Sequence, residues 1–288
     1  MYEEKDLSRR KFLKSGILAA GALAVGSSIF NTTKVVEAVE TTPTPAPCDS
    51  NCEIPSFPYP YAHLDAEKAK LDGYAGYGKS KCSYGAFEAI IGQLGDKVGY
   101  PYTMVPTQVL GWGGTGGGGW ATLCGALIGA ATAINYTMEK KDADKVVSEL
   151  FGWYCDHSFP EFAPAAGKAL EYDGVMEKSV AGSPLCHVSV SNWCDASGLK
   201  AESKARSERC ARVTADVAAK TVELLNQFHS KTFKAVYKNE SVEDCMMCHG
   251  KGHSLENTRG LMDCDQCHTN VEPDNLVEHI KRSWDIKD

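Results

Sequence analysis

Two copies of one short cysteine pattern lie near the carboxyl end of this 288-residue chain. The copies consist of Cys245, Cys248 and His249, and of Cys264, Cys267 and His268. Two thiols three residues apart can form thioethers with the two vinyl groups of one haem, and the adjacent histidine can then bind the iron as proximal ligand. The pattern therefore predicts two covalently attached c-type haems. A four-cysteine zinc site or a thioredoxin-like pair is the alternative, but neither needs a histidine after each pair.

Each haem iron also has a sixth coordination position, and three histidines are candidates for it. His253 follows His249 by only four residues, which is short for reaching the opposite face of the same iron, so it could serve the other haem or a haem of a partner subunit. His279 lies on a predicted C-terminal helix, and His229 ends a long predicted helix. Bis-histidine coordination would leave no open position and favours electron transfer over small-molecule chemistry.

Eight further cysteines lie outside the two patterns, and five of them are candidates for an iron–sulfur centre: Cys82, Cys124, Cys186, Cys194 and Cys210. Cys82 and Cys124 begin predicted helices, where backbone N–H groups stabilise a thiolate. Four thiolates from different elements could hold a [2Fe–2S] or [4Fe–4S] cluster, or zinc. Core cysteines or disulfides are the alternative, and the spacing alone does not decide. Cys48 and Cys52 fit a local disulfide in a proline-rich segment.

The N-terminus indicates the compartment. Arg9 and Arg10 precede a short, mildly apolar segment, and cleavage is predicted after Ala38, so residues 1–38 read as a twin-arginine signal peptide for export to the periplasm. An uncleaved signal anchor is the alternative. This route carries folded proteins whose cofactors are already inserted, whereas c-type haems are attached after export. The signal therefore favours a second cofactor besides haem.

The charge of the chain bears on its partners. Removal of residues 1–38 takes away six Lys or Arg and four Asp or Glu, which changes the net charge from −7 to −9. An acidic protein repels nucleic acid and is attracted to basic surfaces. We therefore expect a redox partner with a basic docking patch, no nucleic-acid partner, and no transmembrane segment after removal of the signal.

The elements that must position these residues are mainly helical. Residues 39–61 form a proline-rich linker, 62–228 an α-helical domain and 229–288 a small, irregular domain that needs a large apolar group to fold around. Helices are predicted at about 80–95, 121–140, 143–153 and 204–228, with an irregular stretch over 155–200 and no clear strand. Gly125 and Gly129 share one helix face, so another backbone can pack closely there.

These features carry a family resemblance. Cys82 at a helix start, the Cys124-Gly125-Ala126-x-x-Gly129 segment after a glycine-rich loop, and the cysteines at 186 and 210 resemble the C_GCAxxG_C_C redox-active proteins. Joined to the two Cys-x-x-Cys-His patterns, they resemble the split-Soret cytochrome c family over about residues 62–288.

The resemblance implies a homodimer with an iron–sulfur cluster in its helical part and two bis-histidine haems packed near each other at one end. It further implies that one axial ligand can come from the other subunit, and His253 suits that role. Cys186 and Cys194 both lie where the pattern has one cysteine, which leaves the fourth cluster ligand open.

Two functions from different classes follow. The first is an exported electron carrier with two haems c and an iron–sulfur cluster, acting in anaerobic-type respiratory metabolism. The second is a haem and iron–sulfur reductase of a small oxidised substrate, which would need an open or displaceable axial position. A zinc-binding assembly protein is a more distant third reading. Binding of carbon monoxide to the reduced protein separates the first two, because only an open position binds it rapidly.

Overall fold

The structure is a computed structural model that describes residues 55–264, 266 and 268, and these belong to one compact unit. The helices α1 to α6 span Ala66–Val98, Gly125–Thr137, Lys140–Asp156, Cys186–Ser197, Lys204–His229 and Glu240–His249. Strands β1 (Ser158–Phe159) and β2 (Ser179–Val180) form one antiparallel pair, and 3-10 helices lie at Tyr102–Met104 and Thr107–Gly113. The predicted mainly α fold is confirmed.

Helix α1 is two helices joined by a sharp break. Ser80 and Lys81 leave the helical conformation, and Lys81 has a positive φ of 67°. A Cβ atom built on Gly76 would lie 2.8 Å from Gly85 Cα, whereas nine residues of straight helix span about 13.5 Å. The two halves, 66–79 and 82–98, are therefore folded against each other, with glycines at the crossing. The break begins a new helix at Cys82, close to the predicted start.

Helix α2 packs closely on the second half of α1. A Cβ atom on Gly129 would collide with the Ser83 carbonyl oxygen of α1, and one on Gly125 would collide with the Cys82 thiol. The close approach expected at these two glycines is therefore present, and it brings the start of α2 next to Cys82.

Helix α5 is the central support of the fold. Its buried face includes Val213, Val217 and Leu225, and it packs along α1, where Gly73 lets the backbone of α1 approach Ala218. Ser203 caps its N-terminus by accepting a hydrogen bond from the Arg206 amide, 3.1 Å away. The predicted helix at 204–228 is thus present and ends at His229.

Two sequence-based assignments need correction. The stretch 155–200 is not irregular throughout, because it contains α4 and the short strands. The residues of α4 have modest helix propensity, so tertiary packing stabilises it: Trp193 is fully buried, and Gly198 closes the helix in a left-handed conformation. The helix predicted at 121–140 begins only at Gly125 and ends at Thr137, because residues 121–124 pair with 184–187 instead.

The segment after α5 is attached to α3. Glu149 accepts hydrogen bonds from the Val236 and Tyr237 amides at 2.8 and 2.9 Å, and the Tyr237 ring lies directly against Gly152. Val242 in α6 is 4% exposed. Within the described part of the chain, no helix is both long enough and apolar enough to cross a membrane. The predicted signal peptide, most of the linker and both cysteines in it lie outside the described residues.

Candidate functional site: a four-cysteine cavity and two cysteine–histidine motifs

Four of the five candidate cluster cysteines line one cavity of about 470 Å³: Cys82, Cys124, Cys186 and Cys210. The fifth, Cys194, lies eight residues beyond Cys186 on α4 and does not line the cavity. None of the cysteines that the structure describes takes part in a disulfide. The structure thus brings together one cysteine from each of four helical segments.

A short antiparallel bridge brings Cys124 and Cys186 together. The Cys124 amide donates to the Pro184 carbonyl at 2.9 Å, and the Cys186 amide donates to the Thr122 carbonyl at 2.6 Å. A helix begins immediately after the bridge on each side, since Cys124 is the N-cap of α2 and Cys186 is the first residue of α4. The bridge therefore fixes the entry of both helices at the cavity wall.

The glycine-rich loop closes the cavity beside Cys82. Gly116 to Gly119 all have positive φ, a conformation that side chains oppose. The loop turns back on itself, since the Ala121 amide donates to the Thr115 carbonyl at 3.1 Å, and Thr115 lines the cavity together with Cys82. The loop thus forms a wall of backbone atoms beside Cys82.

Burial and the proximity of the other thiols both raise the pKa values of the cavity cysteines. Desolvation, with smaller contributions from Cys124 and Cys210, raises the pKa of Cys186 to about 12. Burial likewise raises the pKa of Cys82 and of Cys124, although the Tyr154 hydroxyl and the Ala126 and Leu127 amides partly offset it at Cys124. Four thiolates therefore could not coexist here without a cation, and a bound metal would reverse this balance.

The backbone and charged groups around the cavity suit an anionic group. Three helices begin at it, namely the second half of α1, α2 and α4, so their partially positive ends face the same volume. Arg206 and Arg209 of α5 also line it. The buried Nε of Arg209 has no hydrogen-bond partner within the described part of the chain. This arrangement fits metal–thiolate chemistry, whose net charge is negative.

The four thiols line a cavity of about 470 Å³, which is larger than a single metal ion. Within residues 55–264, 266 and 268, no three Cys, His, Asp or Glu side chains are placed to hold one metal ion. A single tetrahedral zinc ion needs sulfurs about 2.3 Å from one centre, whereas a polynuclear cluster with bridging sulfide fills a larger cavity. A cavity of about 470 Å³ lined by four thiols has room for such a cluster.

The sequence did not predict a buried network of polar side chains in the wall of the cavity. Tyr154 donates from its hydroxyl to Ser189 Oγ at 2.9 Å, and Arg209 Nη2 donates to the same oxygen at 3.0 Å. All three side chains are at most 1% exposed. The one available signal was Arg209 itself, a charged residue four positions before Val213 on the apolar face of α5.

The first Cys-x-x-Cys-His motif forms the last turn and a half of α6. Residues three apart lie on one face of a helix, so Cys245 and Cys248 share a side, and His249 follows at the helix end. The segment after α6 folds back over this end, since the Leu255 amide donates to the Cys248 carbonyl at 3.0 Å. A helix thus presents both thiols, where the sequence analysis expected an irregular segment.

The folded-back segment orients His249. Its Nδ1 lies 2.7 Å from Asn257 Oδ1. An amide oxygen only accepts, so Nδ1 carries the proton and donates, and the lone pair of the neutral ring is then on Nε2. This is the tautomer that an axial haem ligand needs.

The second motif is described only in part, because Cys267 lies outside the described residues. Cys264 is partly buried, and His268 is exposed. The His268 amide donates to the Cys264 carbonyl at 2.9 Å, so the first cysteine and the histidine of the motif are joined by a backbone hydrogen bond.

The candidates for the sixth ligand have different settings. His253 lies exposed in the turn after α6. His229 at the end of α5 stacks on Tyr61 with ring centroids 4.0 Å apart, and burial lowers its pKa. Its Nε2 is buried without a hydrogen-bond partner among the described residues. His279 lies outside the described residues.

Comparison with known proteins agrees with this arrangement. The family described as "Putative redox-active protein (C_GCAxxG_C_C)" matches residues 82–224, the region that holds the four cavity cysteines. Split-Soret cytochrome c of Desulfovibrio desulfuricans is 36% identical over 271 residues, which cover 91% of this chain and 97% of that protein. A solved structure described as "A novel iron centre in the split-Soret cytochrome c from Desulfovibrio desulfuricans ATCC 27774" is similar with a TM-score of 0.70 and 37% identity, covering 75% of this chain and 92% of that one.

These similarities define the class first, and it is that of the electron-transfer cytochromes. More narrowly, the chain belongs to the split-Soret cytochrome c family. The resemblance seen in the sequence is confirmed at this level.

Proposed function

We propose that this protein is an exported electron carrier that holds two haems c and one iron–sulfur cluster per chain. One observation carries the proposal: the thiols of Cys82, Cys124, Cys186 and Cys210 line one cavity at which three helices begin. The same chain carries two haem-attachment motifs. Bound haem and cluster would supply one-electron chemistry, which the side chains of the protein lack.

The residues divide the work as follows. Cys245, Cys248, Cys264 and Cys267 would attach the haems, and His249 and His268 would be the proximal ligands. The distal ligands are to be sought among His253, His279 and His229. Cys194 is left out of the cluster, because it does not line the cavity.

The cellular setting is a further part of the proposal. The paired arginines at 9 and 10 support twin-arginine export to the periplasm, and cofactor insertion before export suits a buried cluster site. A homodimer would place His253 of one chain near a haem of the other. The net charge of −9 for residues 39–288 supports a partner with a basic surface.

The test uses the full chain expressed with its own signal in a host that matures c-type cytochromes. Intact mass should show cleavage near Ala38 and the added mass of two haems. Iron analysis should exceed two atoms per chain, and reductive titration followed by EPR should separate low-spin haem from a reduced cluster. A mass without haem, or iron limited to the haem content, contradicts the corresponding part of the proposal.

A double replacement of Arg9 and Arg10 by Lys tests the export route separately. We expect the protein to remain in the cytoplasm without haem, while a control that replaces Lys5 and Lys14 by Arg is exported normally. Normal export of the first variant would argue against the twin-arginine route.

A further inference from the structure

A buried cation in the cavity wall has no counter-charge. Arg209 is 1% exposed, and none of the ion pairs within the described part of the chain includes it. Its Nη2 donates to Ser189, and its Nε lies buried without a partner. A buried charge is costly unless an opposite charge lies nearby, so the structure around Arg209 is incomplete without an anion.

A neighbour on the same helix shows the ordinary solution. Arg212 is also buried, and its Nε lies 2.8 Å from the Glu208 carboxylate, which is fully buried as well. That carboxylate also accepts hydrogen bonds from the Tyr74 hydroxyl and the Glu171 amide. Arg212 is therefore paired within the protein, whereas Arg209 faces a cavity lined by thiols.

The hydrogen bonds of Arg209 fix the orientation of its guanidinium group. Ser189 Oγ accepts from both Arg209 and Tyr154, and all three side chains line the same cavity as Cys124. The guanidinium is thus held at the cavity wall by a buried hydrogen-bond network. Its rigid fork of donors is well suited to an anion held in place.

We propose that Arg209 is the positioning residue of the cavity, where its guanidinium compensates the negative charge of the thiolate-bound centre and raises the reduction potential of that centre. This rests on the proposed function, since it needs a metal–thiolate centre in the cavity. The direction of this change in reduction potential follows from the positive charge of Arg209. Reduction adds an electron to an already anionic group, and a fixed positive charge in a low-dielectric site favours the reduced state.

The experiment compares reduction potentials in the mature holoprotein. In Arg209→Gln we expect the equilibrium constant for one-electron reduction of the centre to fall at least tenfold, which is a decrease of 59 mV or more. Arg209→Lys, which keeps the charge, should stay closer to wild type. Lys220→Gln removes a charge from the same helix away from the cavity and should leave the potential unchanged. An unchanged potential in Arg209→Gln with iron retained overturns the inference.

A second measurement leaves Arg209 in place, so it does not depend on whether the Arg209 variants fold. In wild-type protein labelled with ¹⁵N-arginine and fully reduced, low-spin ferrous haem is silent in EPR. Pulsed EPR should then show a ¹⁵N coupling to the reduced centre that persists in Arg206→Lys. Absence of the coupling in wild type, or its loss in Arg206→Lys, overturns the inference. Iron limited to the haem content would instead remove the proposed function, and this inference with it.

Discussion

The hydrogen bond between His249 and Asn257 is expected to tune the first haem. A ligating histidine that donates its other ring N–H becomes a more basic ligand and lowers the potential of the iron. Asn257→Leu removes the acceptor and should raise the haem potential. Asn257→Asp keeps an acceptor and adds charge, so it should lower it. Potentiometric titration of the haem absorbance checks both, and equal potentials in the two variants would contradict the role.

Cys186 and Cys194 are distinguished by position, and serine replacements test the distinction. Cys186→Ser removes a thiol from the cavity wall, so we expect loss of the non-haem iron and of its EPR signal. Cys194→Ser is the matched control on the same helix and should keep both. Iron analysis of the two purified proteins decides, and the reverse outcome would make Cys194 the ligand.

Asp216 should make stability depend on pH. Burial raises the pKa of its carboxyl to about 6, although the Glu161 and Phe162 amides donate to the carboxylate and oppose the rise. The folded state therefore binds this proton more tightly than the unfolded state, whose aspartate pKa is about 3.9. The stabilisation is complete below about pH 3.9 and is lost as pH rises through about 6. The loss of unfolding free energy from this group amounts to about 1.4 kcal/mol between pH 5 and pH 8.

Urea unfolding at pH 5 and pH 8 measures this contribution. In Asp216→Asn the difference between the two pH values should shrink by about 1.4 kcal/mol relative to wild type. Asp72→Asn, which removes an exposed carboxylate on α1, should leave the difference unchanged. The same shrinkage in both variants would show that Asp216 is not its source.

At the scale of elements, the contact between α1 and α2 depends on the absence of a side chain. A methyl group on Gly129 would collide with the Ser83 carbonyl, so Gly129→Ala should cost about 1–3 kcal/mol of unfolding free energy and open the cavity wall. Gly92→Ala is the matched control in α1, because a Cβ there would meet only a side-chain oxygen at 3.9 Å. It should stabilise by about 0.5–1 kcal/mol. Thermal unfolding of both variants checks the contrast.

The sequence predicted a helix correctly where its local features, such as apolar periodicity and residue size, agreed with the tertiary packing. The apolar face of α5 and the paired glycines of α2 were readable, since periodicity and residue size act locally. Helix α4 was not, because its stability depends on the burial of Trp193, whose ring N–H donates to the Glu177 carbonyl outside the helix. For the same reason the sequence could name five candidate cysteines but could not tell which four line one cavity, since that depends on the bridge between residues 121–124 and 184–187.

At the scale of the whole molecule, Glu149 of α3 binds the segment 231–239, which leads to the first Cys-x-x-Cys-His motif, by hydrogen bonds. Its carboxylate accepts from two successive amides, those of Val236 and Tyr237. Glu149→Ala should leave the helical part folded and speed amide hydrogen exchange over residues 231–239. Glu223→Ala, which removes a carboxylate whose ion pair with Lys220 is on the surface, is the control. Equal exchange in the two variants would contradict this role of Glu149.

The cavity cysteines are spread over 129 residues of chain, from 82 to 210, whereas each haem motif occupies five. A short peptide could present a haem motif to an attachment enzyme. No such fragment could present all four cavity thiols, because they meet only when helices from both ends of the helical part have docked. Loading of the proposed centre would therefore act as a checkpoint that only completely assembled chains pass, and truncated or misfolded chains would stay colourless at that site.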